Sequence, residues 1–291
     1  EPRTFNIDPK KIEEMISDKT VAILAPNLMG NICKWDEIKV IADKYDLKII
    51  EDSADTLGAT INGKSSGFYS DMSITSFYGS HIINCAGNGG ALAINDEEAM
   101  KKAKLLRSWG RSSSLFDEQS ESIENRFNVN LDGIDYDAKF VFETVGYNLE
   151  GNEVGAAFGL SQLQKLDQNI QTRQNNFKRQ CEFFNQFPDF FINPEETDNC
   201  NTAWLAFPVL LKEDLPFSRK DFQIFLEKRN IQTRVVFTGN ILRQPGFMNM
   251  KMKKSNEGYP EADKVMKNGI LIGCHQGLNQ KMFKHLTKSI D

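Results

Sequence analysis

The chain has 291 residues, with 35 lysines and arginines against 40 aspartates and glutamates and a net charge of −5. No basic stripe favours nucleic acid as a partner, no apolar run is long enough to predict a membrane span, and the first 16 residues lack the pattern of a secretory signal. Five cysteines stand singly, without a C-x-x-C pair, which favours reduced thiols and a cytoplasmic location.

Short apolar segments alternate with amphipathic helical patterns through the first half of the chain. This alternation predicts an α/β fold with a mainly parallel sheet covered by helices. The predicted strands are residues 20–26, 47–52, 72–77 and 90–95, and the predicted helices are residues 36–45 and 96–110. Ligands of such sheets gather at the carboxyl ends of the strands. Asp52 and Ser76 occupy two of these ends.

The second half of the chain predicts a different architecture. Residues 111–137 are polar and without a clear period, which is typical of a long surface excursion. Residues 153–187 have a helical pattern with a small, apolar first half, which predicts a buried start, and a polar second half, which predicts a spine towards another domain. A small α+β domain is then predicted from strands at 203–211, 231–237 and 269–275 and helices at 219–230 and 261–268. We predict a large domain over residues 1–170, and the spine helix with the small domain over residues 171–291.

Two aspartates lie at and just after the end of the second predicted strand, in the segment IIEDSAD. A carboxylate at a strand end, here Asp52, can pair with a protonated ring nitrogen of a cofactor. The same position also suits a helix N-cap or a turn acid. Asp55 fits either a second polar contact or a solvated loop residue, and the spacing does not decide between them.

The segment SFYGSHIINCAGNGGALAIN, residues 76–95, places His81 and a glycine cluster between two predicted strands. The glycine cluster suits a phosphate cradle or a simple turn. His81 suits proton transfer or a structural role. No grouping has the spacing of a zinc site, and neither a P-loop nor a G-x-S-x-G motif is present, so the sequence predicts no metal site.

Taken in order, these motifs resemble the sugar aminotransferase family called DegT/StrS. The resemblance rests on residues 49–98, which begin IIEDSADTLGA, and on GYNLEGNEVGAAFGLSQLQKLDQNIQTRQNNF, residues 146–177. It implies the aspartate aminotransferase-like fold (fold type I), a homodimer, pyridoxal phosphate as cofactor and nucleotide-linked keto sugars as substrates. Residues 1–170 would form the cofactor-binding domain. Family members carry a long stretch before the point that corresponds to Glu1, so this domain is expected to be incomplete at its N-terminus.

The resemblance also assigns roles to individual residues. It makes Asp52 the partner of the pyridinium nitrogen, and it places Asp55 near the ring hydroxyl, where the family commonly has a glutamine. Ser76 matches a serine that contacts the cofactor phosphate. Asn148 matches an asparagine that reaches the phosphate of the neighbouring subunit's cofactor. His81 falls where the family normally has the lysine that forms the internal Schiff base.

Histidine at that position predicts a different chemistry. Imidazole has no primary amine, so His81 cannot bond covalently to the cofactor, but it can move protons near neutral pH. With histidine in place of the lysine, the chain resembles the subgroup of 3-dehydratases, which hold the cofactor noncovalently as pyridoxamine phosphate. It implies C3 dehydration of a nucleotide-linked 4-keto-6-deoxyhexose for a surface polysaccharide or lipopolysaccharide, with glutamate as a candidate amino donor.

The segment GNILRQP, residues 239–245, is similar to the C-terminal signature of the 3-dehydratases. Within it, Asn240 and Arg243 are candidates for holding the nucleotide sugar, since guanidinium grips phosphate bidentately. One branch of the subgroup carries an iron–sulfur cluster on cysteines after an SWGR segment. Residues 108–127 contain that segment and no cysteine, so we expect no cluster. An ordinary sugar aminotransferase and a noncatalytic nucleotide-sugar-binding relative are the alternatives.

Overall fold

A computed structural model describes residues 1–117 and 122–291. In this part of the chain the strands are β1 (Ala22–Pro26), β2 (Lys48–Asp52), β3 (Thr60–Ile61), β4 (Lys64–Ser65), β5 (Met72–Ser76), β6 (Gly90–Ile94), β7 (Val129–Leu131), β8 (Ile134–Tyr136), β9 (Phe191–Ile192), β10 (Cys200–Asn201), β11 (Ala206–Leu211), β12 (Thr233–Val235) and β13 (Gly269–Gly273). The α-helices are α1 (Trp35–Lys44), α2 (Glu97–Arg107), α3 (Ile123–Arg126), α4 (Glu153–Leu163), α5 (Leu166–Phe184), α6 (Arg219–Glu227), α7 (Pro260–Asn268) and α8 (Gln280–Ile290). Single turns of 3-10 helix span Pro9–Lys11, Glu13–Met15, Leu28–Gly30, Ser66–Tyr69, Ser112–Leu115, Ala138–Phe140 and Ile241–Arg243.

The first sheet has the strand order β1-β2-β5-β6. β1, β2 and β5 run parallel, as the sequence predicts, and β6 returns antiparallel to β5. No helix forms between β5 and β6, so the chain reverses there instead of making the crossover that another parallel strand requires. The start of β6 therefore lies at the same edge as the ends of the other three strands.

One core cluster joins this sheet to α1. Ile23 and Ala25 of β1 are buried, and Trp35 and Ile38 of α1 are both fully enclosed. Their spacing, alternate in the strand and three apart in the helix, is what places them on one face of each element. Leu24, between the two buried residues of β1, is exposed on the opposite face.

A second core cluster joins α5 to the antiparallel sheet β12-β13-β11-β9. Phe177 of α5 stacks on Trp204, with ring centroids 4.1 Å apart and an interplanar angle of 10°. Phe184 of the same helix stacks on Phe207 in β11. The three predicted strands and two predicted helices of this part of the chain are confirmed, with shorter bounds except for α7, which begins one residue earlier than predicted.

The long helix predicted over residues 153–187 is wrong in two respects. It is two helices, because the amide of Lys165 bonds to the carbonyl of Gln162, one residue nearer than in an α-helix. Its start is also exposed: Val154 and Phe158 face solvent, and within α4 only Gly155 and Gly159 are buried. A Cβ on Gly159 would lie 2.6 Å from Cys85 Sγ, so α4 packs through its glycine face and turns its larger side chains outward.

The polar stretch 111–137 is more ordered than predicted, and its residues 118–121 lie outside the described residues. β7 and β8 form a hairpin across Asp132 and Gly133, which both have positive φ. The Asp-Gly pair is the sequence signal for such a turn. The C-terminal helix α8 is a further element absent from the prediction. Among the described residues, no helix combines the length and apolarity needed to cross a membrane.

Candidate active site

Polar residues collect at one edge of the first sheet. The register pairs Pro26 with Asp52, Asp52 with Ile74, and Ser76 with Gly90. Because β1, β2 and β5 are parallel, their carboxyl ends all lie at this edge, which is where ligands of such sheets bind. The placement of Asp52 and Ser76 at strand ends follows the sequence prediction.

Asp52 is half-buried at the end of β2 and lines a cavity of about 1060 Å³. Its Oδ1 accepts the N–H of Ala54 at 3.0 Å, which is the turn role that the sequence also allowed. Its carbonyl accepts the N–H of Asn27 at 3.0 Å. Strand and turn thus hold Asp52 in place at the cavity wall.

Asp55 is buried beside His81 in the same cavity wall. Its Oδ2 accepts the N–H of Met29 at 3.1 Å, and its Oδ1 lies 3.7 Å from His81 Nε2. Burial raises the pKa of Asp55 to about 6; His81 and the Met29 amide oppose the rise, and the charge of Asp52 adds to it. Asp55 is therefore a buried carboxylate in electrostatic contact with an imidazole, and not the solvated loop residue that the sequence left open.

His81 is fixed in the loop between β5 and β6 by its neighbours. Ile82 and Ile83 are buried, and the edge of the imidazole meets the Tyr78 ring at a centroid distance of 6.1 Å. His81 Nδ1 is buried and has no hydrogen-bond partner among the described residues. The side chain keeps 18% of its surface exposed, and its other ring nitrogen, Nε2, lies towards Asp55.

The other predicted site residues lie outside the residues that line this cavity. Ser76 Oγ accepts the N–H of Tyr78 at 3.2 Å. Asn148 is exposed and forms a single antiparallel bridge with Ser108. The structure thus brings Asp52, Asp55 and His81 together and leaves Ser76 and Asn148 outside that group.

Asn240 and Arg243 are held by a common acid. Asn240 Nδ2 donates to Asp263 Oδ1 at 2.8 Å, and Arg243 Nη2 donates to Asp263 Oδ2 at 2.7 Å. The Arg243 guanidinium is the main cause that lowers the pKa of Asp263 to about 2. Gly239 and Ile241, on either side of Asn240, line the cavity. The GNILRQP segment therefore borders the site, while Asn240 and Arg243, its two candidates for binding the nucleotide sugar, form hydrogen bonds to Asp263.

The turn after β1 is the part of the site that the sequence analysis missed. Met29 lies in the left-handed region, at φ 60° and ψ 14°, and its amide is the one that binds Asp55. The signal was present as Asn27 and Gly30, two turn formers that directly follow a buried strand at the carboxyl edge.

The side chains of Asp52 and His81 fit a pyridine cofactor. Asp52 provides a carboxylate on a cavity wall, as a protonated ring nitrogen requires. His81, which lines the same cavity, provides an imidazole. Within the described residues no lysine lines the cavity except Lys11, which is paired with Glu257 at 2.6 Å.

A family model covers the chain from residue 1 to residue 291: the DegT/DnrJ/EryC1/StrS aminotransferase family. The chain belongs to this family. Lipopolysaccharide biosynthesis protein RfbH of Salmonella typhimurium is 32% identical over 290 residues, which are 99% of this chain and 66% of RfbH. The dTDP-4-dehydro-2,6-dideoxy-D-glucose 3-dehydratase of Saccharopolyspora spinosa is 31% identical over 99% of this chain and 62% of its own length. The chain thus spans somewhat less than two thirds of these two relatives.

Aminotransferases are similar to the chain as well. The dTDP-3-amino-3,6-dideoxy-alpha-D-galactopyranose transaminase of Aneurinibacillus thermoaerophilus is 34% identical over 99% of this chain and 69% of its own length. Family membership therefore leaves open which of the two reactions the chain supports.

Among solved structures, E. coli GDP-4-keto-6-deoxy-D-mannose-3-dehydratase with bound hydrated PLP superposes with a TM-score of 0.86. It is 27% identical, and the match covers 100% of this chain and 72% of that structure. A structure of GDP-4-keto-6-deoxymannose-3-dehydratase with a trapped PLP-glutamate geminal diamine has the same TM-score and identity, with 100% and 73% coverage. The predicted aspartate aminotransferase-like fold is confirmed by this likeness.

Proposed function

We propose that this protein works with pyridoxamine phosphate to remove the C3 hydroxyl of a nucleotide-linked 4-keto-6-deoxyhexose in deoxysugar biosynthesis. The observation that carries the proposal is His81, an imidazole in contact with Asp55 in the wall of the cavity that Asp52 also lines. Two relatives of known name support it, since a 3-dehydratase is among the similar sequences and another among the similar structures.

Asp52 would hold the ring nitrogen of the cofactor, and Asp55 would lie towards its ring hydroxyl. Ser76 would contact the phosphate, and Asn148 would reach the phosphate of the neighbouring subunit's cofactor in a homodimer. The chemistry that pyridoxamine phosphate supplies when bound is an amine that can bond to a keto carbon and a ring that accepts electrons. Keeping a carboxylate beside the ring nitrogen favours its protonated, electron-accepting form.

His81 would act as the proton carrier of the site. Nε2 is the nitrogen that a ligand in the cavity can reach, because Nδ1 is buried. An imidazolium formed by proton uptake at Nε2 is stabilised by the Asp55 carboxylate 3.7 Å away. Because the pKa of Asp55 is about 6, this carboxylate is mainly ionised above that pH.

The second candidate function is transamination of a nucleotide sugar, which the 34% identity to a transaminase favours. The two functions differ in the fate of oxygen. Dehydration gives a keto sugar without its C3 oxygen, whereas transamination replaces a keto oxygen with an amine. A nucleotide-sugar-binding protein without catalysis would do neither.

The test is a product analysis. The protein is incubated with pyridoxamine phosphate, glutamate and a panel of GDP- and CDP-linked 4-keto-6-deoxyhexoses, and the sugar products are identified by mass. We expect loss of the C3 oxygen with wild type and amination with His81→Lys. His285→Lys, which changes an exposed histidine of α8, is the matched control and should behave as wild type. Amination by wild type would establish the aminotransferase instead, and substrate binding without turnover in any variant would favour the noncatalytic relative.

A further inference from the structure

Behind the candidate site, the Asn27 side chain is the centre of a buried polar network. It is 1% exposed at the end of β1. Its Oδ1 accepts the N–H of Cys33 and the indole N–H of Trp35, each at 2.9 Å. Its Nδ2 donates to Glu51 Oε1 at 2.7 Å. Because the indole N–H only donates and Glu51 Oε1 accepts here, an amide, which carries both an acceptor and a donor, suits both sides of this position.

The same amide reaches the loop that carries Asp55. Nδ2 lies 3.3 Å from Ser53 Oγ and 3.2 Å from Thr56 Oγ1, on the two sides of Asp55 in the chain. The main-chain N–H of Asn27 donates to the carbonyl of Asp52 at 3.0 Å. Two residues later, the Met29 N–H donates to Asp55 Oδ2. One turn of the chain thus contacts both acids of the site.

Glu51 makes this network depend on Asn27. It is fully buried, its Oε1 is bonded to Asn27 and Ser53, and its Oε2 has no partner among the described residues. Buried carboxylates need donors, so loss of the Asn27 amide leaves Glu51 with the Ser53 hydroxyl alone. The 53–56 loop must then shift or admit water to satisfy it.

We propose that Asn27 is a positioning residue that sets Asp52 and Asp55 for the cofactor through the 53–56 loop. The inference rests on the proposed function in so far as that function gives the two acids their ligand. The contacts themselves are independent of any ligand, so the placement of Asp55 can be tested in the protein alone.

The first test uses the ligand-free protein and compares Asn27→Ala with Asn176→Ala. Asn176, in α5, is a matched control, since its side-chain amide is also buried and donates a hydrogen bond of 2.9 Å to the carbonyl of His275. In Asn27→Ala we expect amide hydrogen exchange of residues 53–56 to quicken about tenfold. Carbon-13 titration of Asp55, which faces His81, Asp52 and the Met29 amide, should show its midpoint fall from about 6 towards 3.8 as water enters. Asn176→Ala should change neither.

The second test measures binding of pyridoxamine phosphate by fluorescence. The dissociation constant should rise about tenfold in Asn27→Ala and stay unchanged in Asn176→Ala. The positioning role is overturned if Asn27→Ala leaves the Asp55 titration midpoint and the exchange rates of residues 53–56 unchanged. It is also overturned if the dissociation constant for pyridoxamine phosphate stays unchanged. Failure of wild type to bind pyridoxamine phosphate counts against the proposed function, while the ligand-free titration still decides the role of Asn27. If Asn27→Ala does not fold, Thr56→Val removes one contact of the network and should shift both ligand-free readouts in the same direction.

Discussion

Two polar clusters border the same cavity, and they differ in how their hydrogen-bonding capacity is used. Asn240, Arg243 and Asp263 satisfy one another, with the carboxylate bonded by both partners. In the other cluster, Asp55 Oδ1 and His81 Nε2 are 3.7 Å apart, which is beyond hydrogen-bond distance, so Nε2 is not held by Asp55 within the described residues. A cluster whose polar groups hydrogen-bond to one another is stable without a ligand. Polar groups without hydrogen-bond partners in a buried site mark the place where a ligand can contribute such bonds. On this comparison we propose that the His81 cluster carries the chemistry and that the Asp263 cluster supports it.

The strongest test of this contrast is His81→Asn. We expect turnover to fall by about 100- to 10,000-fold, because proton transfer in the transition state contributes on that order. Thermal unfolding should change little, since the ring makes no hydrogen bond within the described structure through Nδ1. Steady-state kinetics and a melting curve check both parts. His285→Asn serves as control, and turnover of His81→Asn within tenfold of wild type would contradict the assignment.

Asp55→Asn tests the burial of the acid in the His81 cluster. A pKa raised from 3.8 to about 6 means that the folded state binds more protons at Asp55 than the unfolded state does between these pH values. Stability contributed by the protonated acid is therefore lost as pH rises through that window. Asn does not titrate, so the variant should gain about 1–3 kcal/mol over wild type between pH 4 and pH 7. Urea unfolding at several pH values measures the difference, and parallel pH profiles for the two proteins would show that Asp55 is not perturbed.

Arg243→Met tests whether the cluster of Asn240, Arg243 and Asp263 also contacts the substrate. If the guanidinium exchanges Asp263 for a substrate phosphate, KM for the nucleotide sugar should rise about tenfold with kcat nearly unchanged. Arg229→Met is the control, because Arg229 stacks on Phe225 and contacts neither cluster. Initial-rate kinetics distinguish the cases, and an unchanged KM would make the cluster purely structural.

Gly159→Ala tests how the His81 loop is held, and its effect should be the smallest. The added Cβ would lie 2.6 Å from Cys85 Sγ, so we expect a loss of about 1 kcal/mol, recovered in the double variant with Cys85→Ala. Gly151→Ala, where a Cβ meets nothing within 4 Å, is the control. Denaturant unfolding of the four proteins gives the answer. Equal losses at residues 151 and 159 would mean that the contact with Cys85 does not cause the loss.

The sequence predicts the elements of the site better than their contacts. Short apolar strands ending in Asp52 and Ser76 were predictable because their period and their turn residues are local. The bond from the Met29 amide to Asp55 was not, since it needs a left-handed backbone at a residue other than glycine. The outward face of α4 was missed for a related reason: an apolar period predicts a helix, but the glycines decide which side approaches the protein.

The domain division at residue 170 stays a prediction. α5 crosses that point without interruption, and its buried face contributes Phe177 and Phe184 to the second core cluster. A division based on composition places the boundary where polarity changes, whereas the helix is continuous from residue 166.

The reversal at β6 has a consequence for folding. β5, the His81 loop and β6 form a local antiparallel unit, whose strands are close in the chain. β1 and β2 need a crossover through α1 before they can pair, and contacts between distant residues form more slowly than local ones. We expect the histidine to be placed early, on a hairpin that forms by itself. Asp52 and Asp55 would reach His81 later, when the parallel strands pair. The site would therefore be complete only once the sheet has formed.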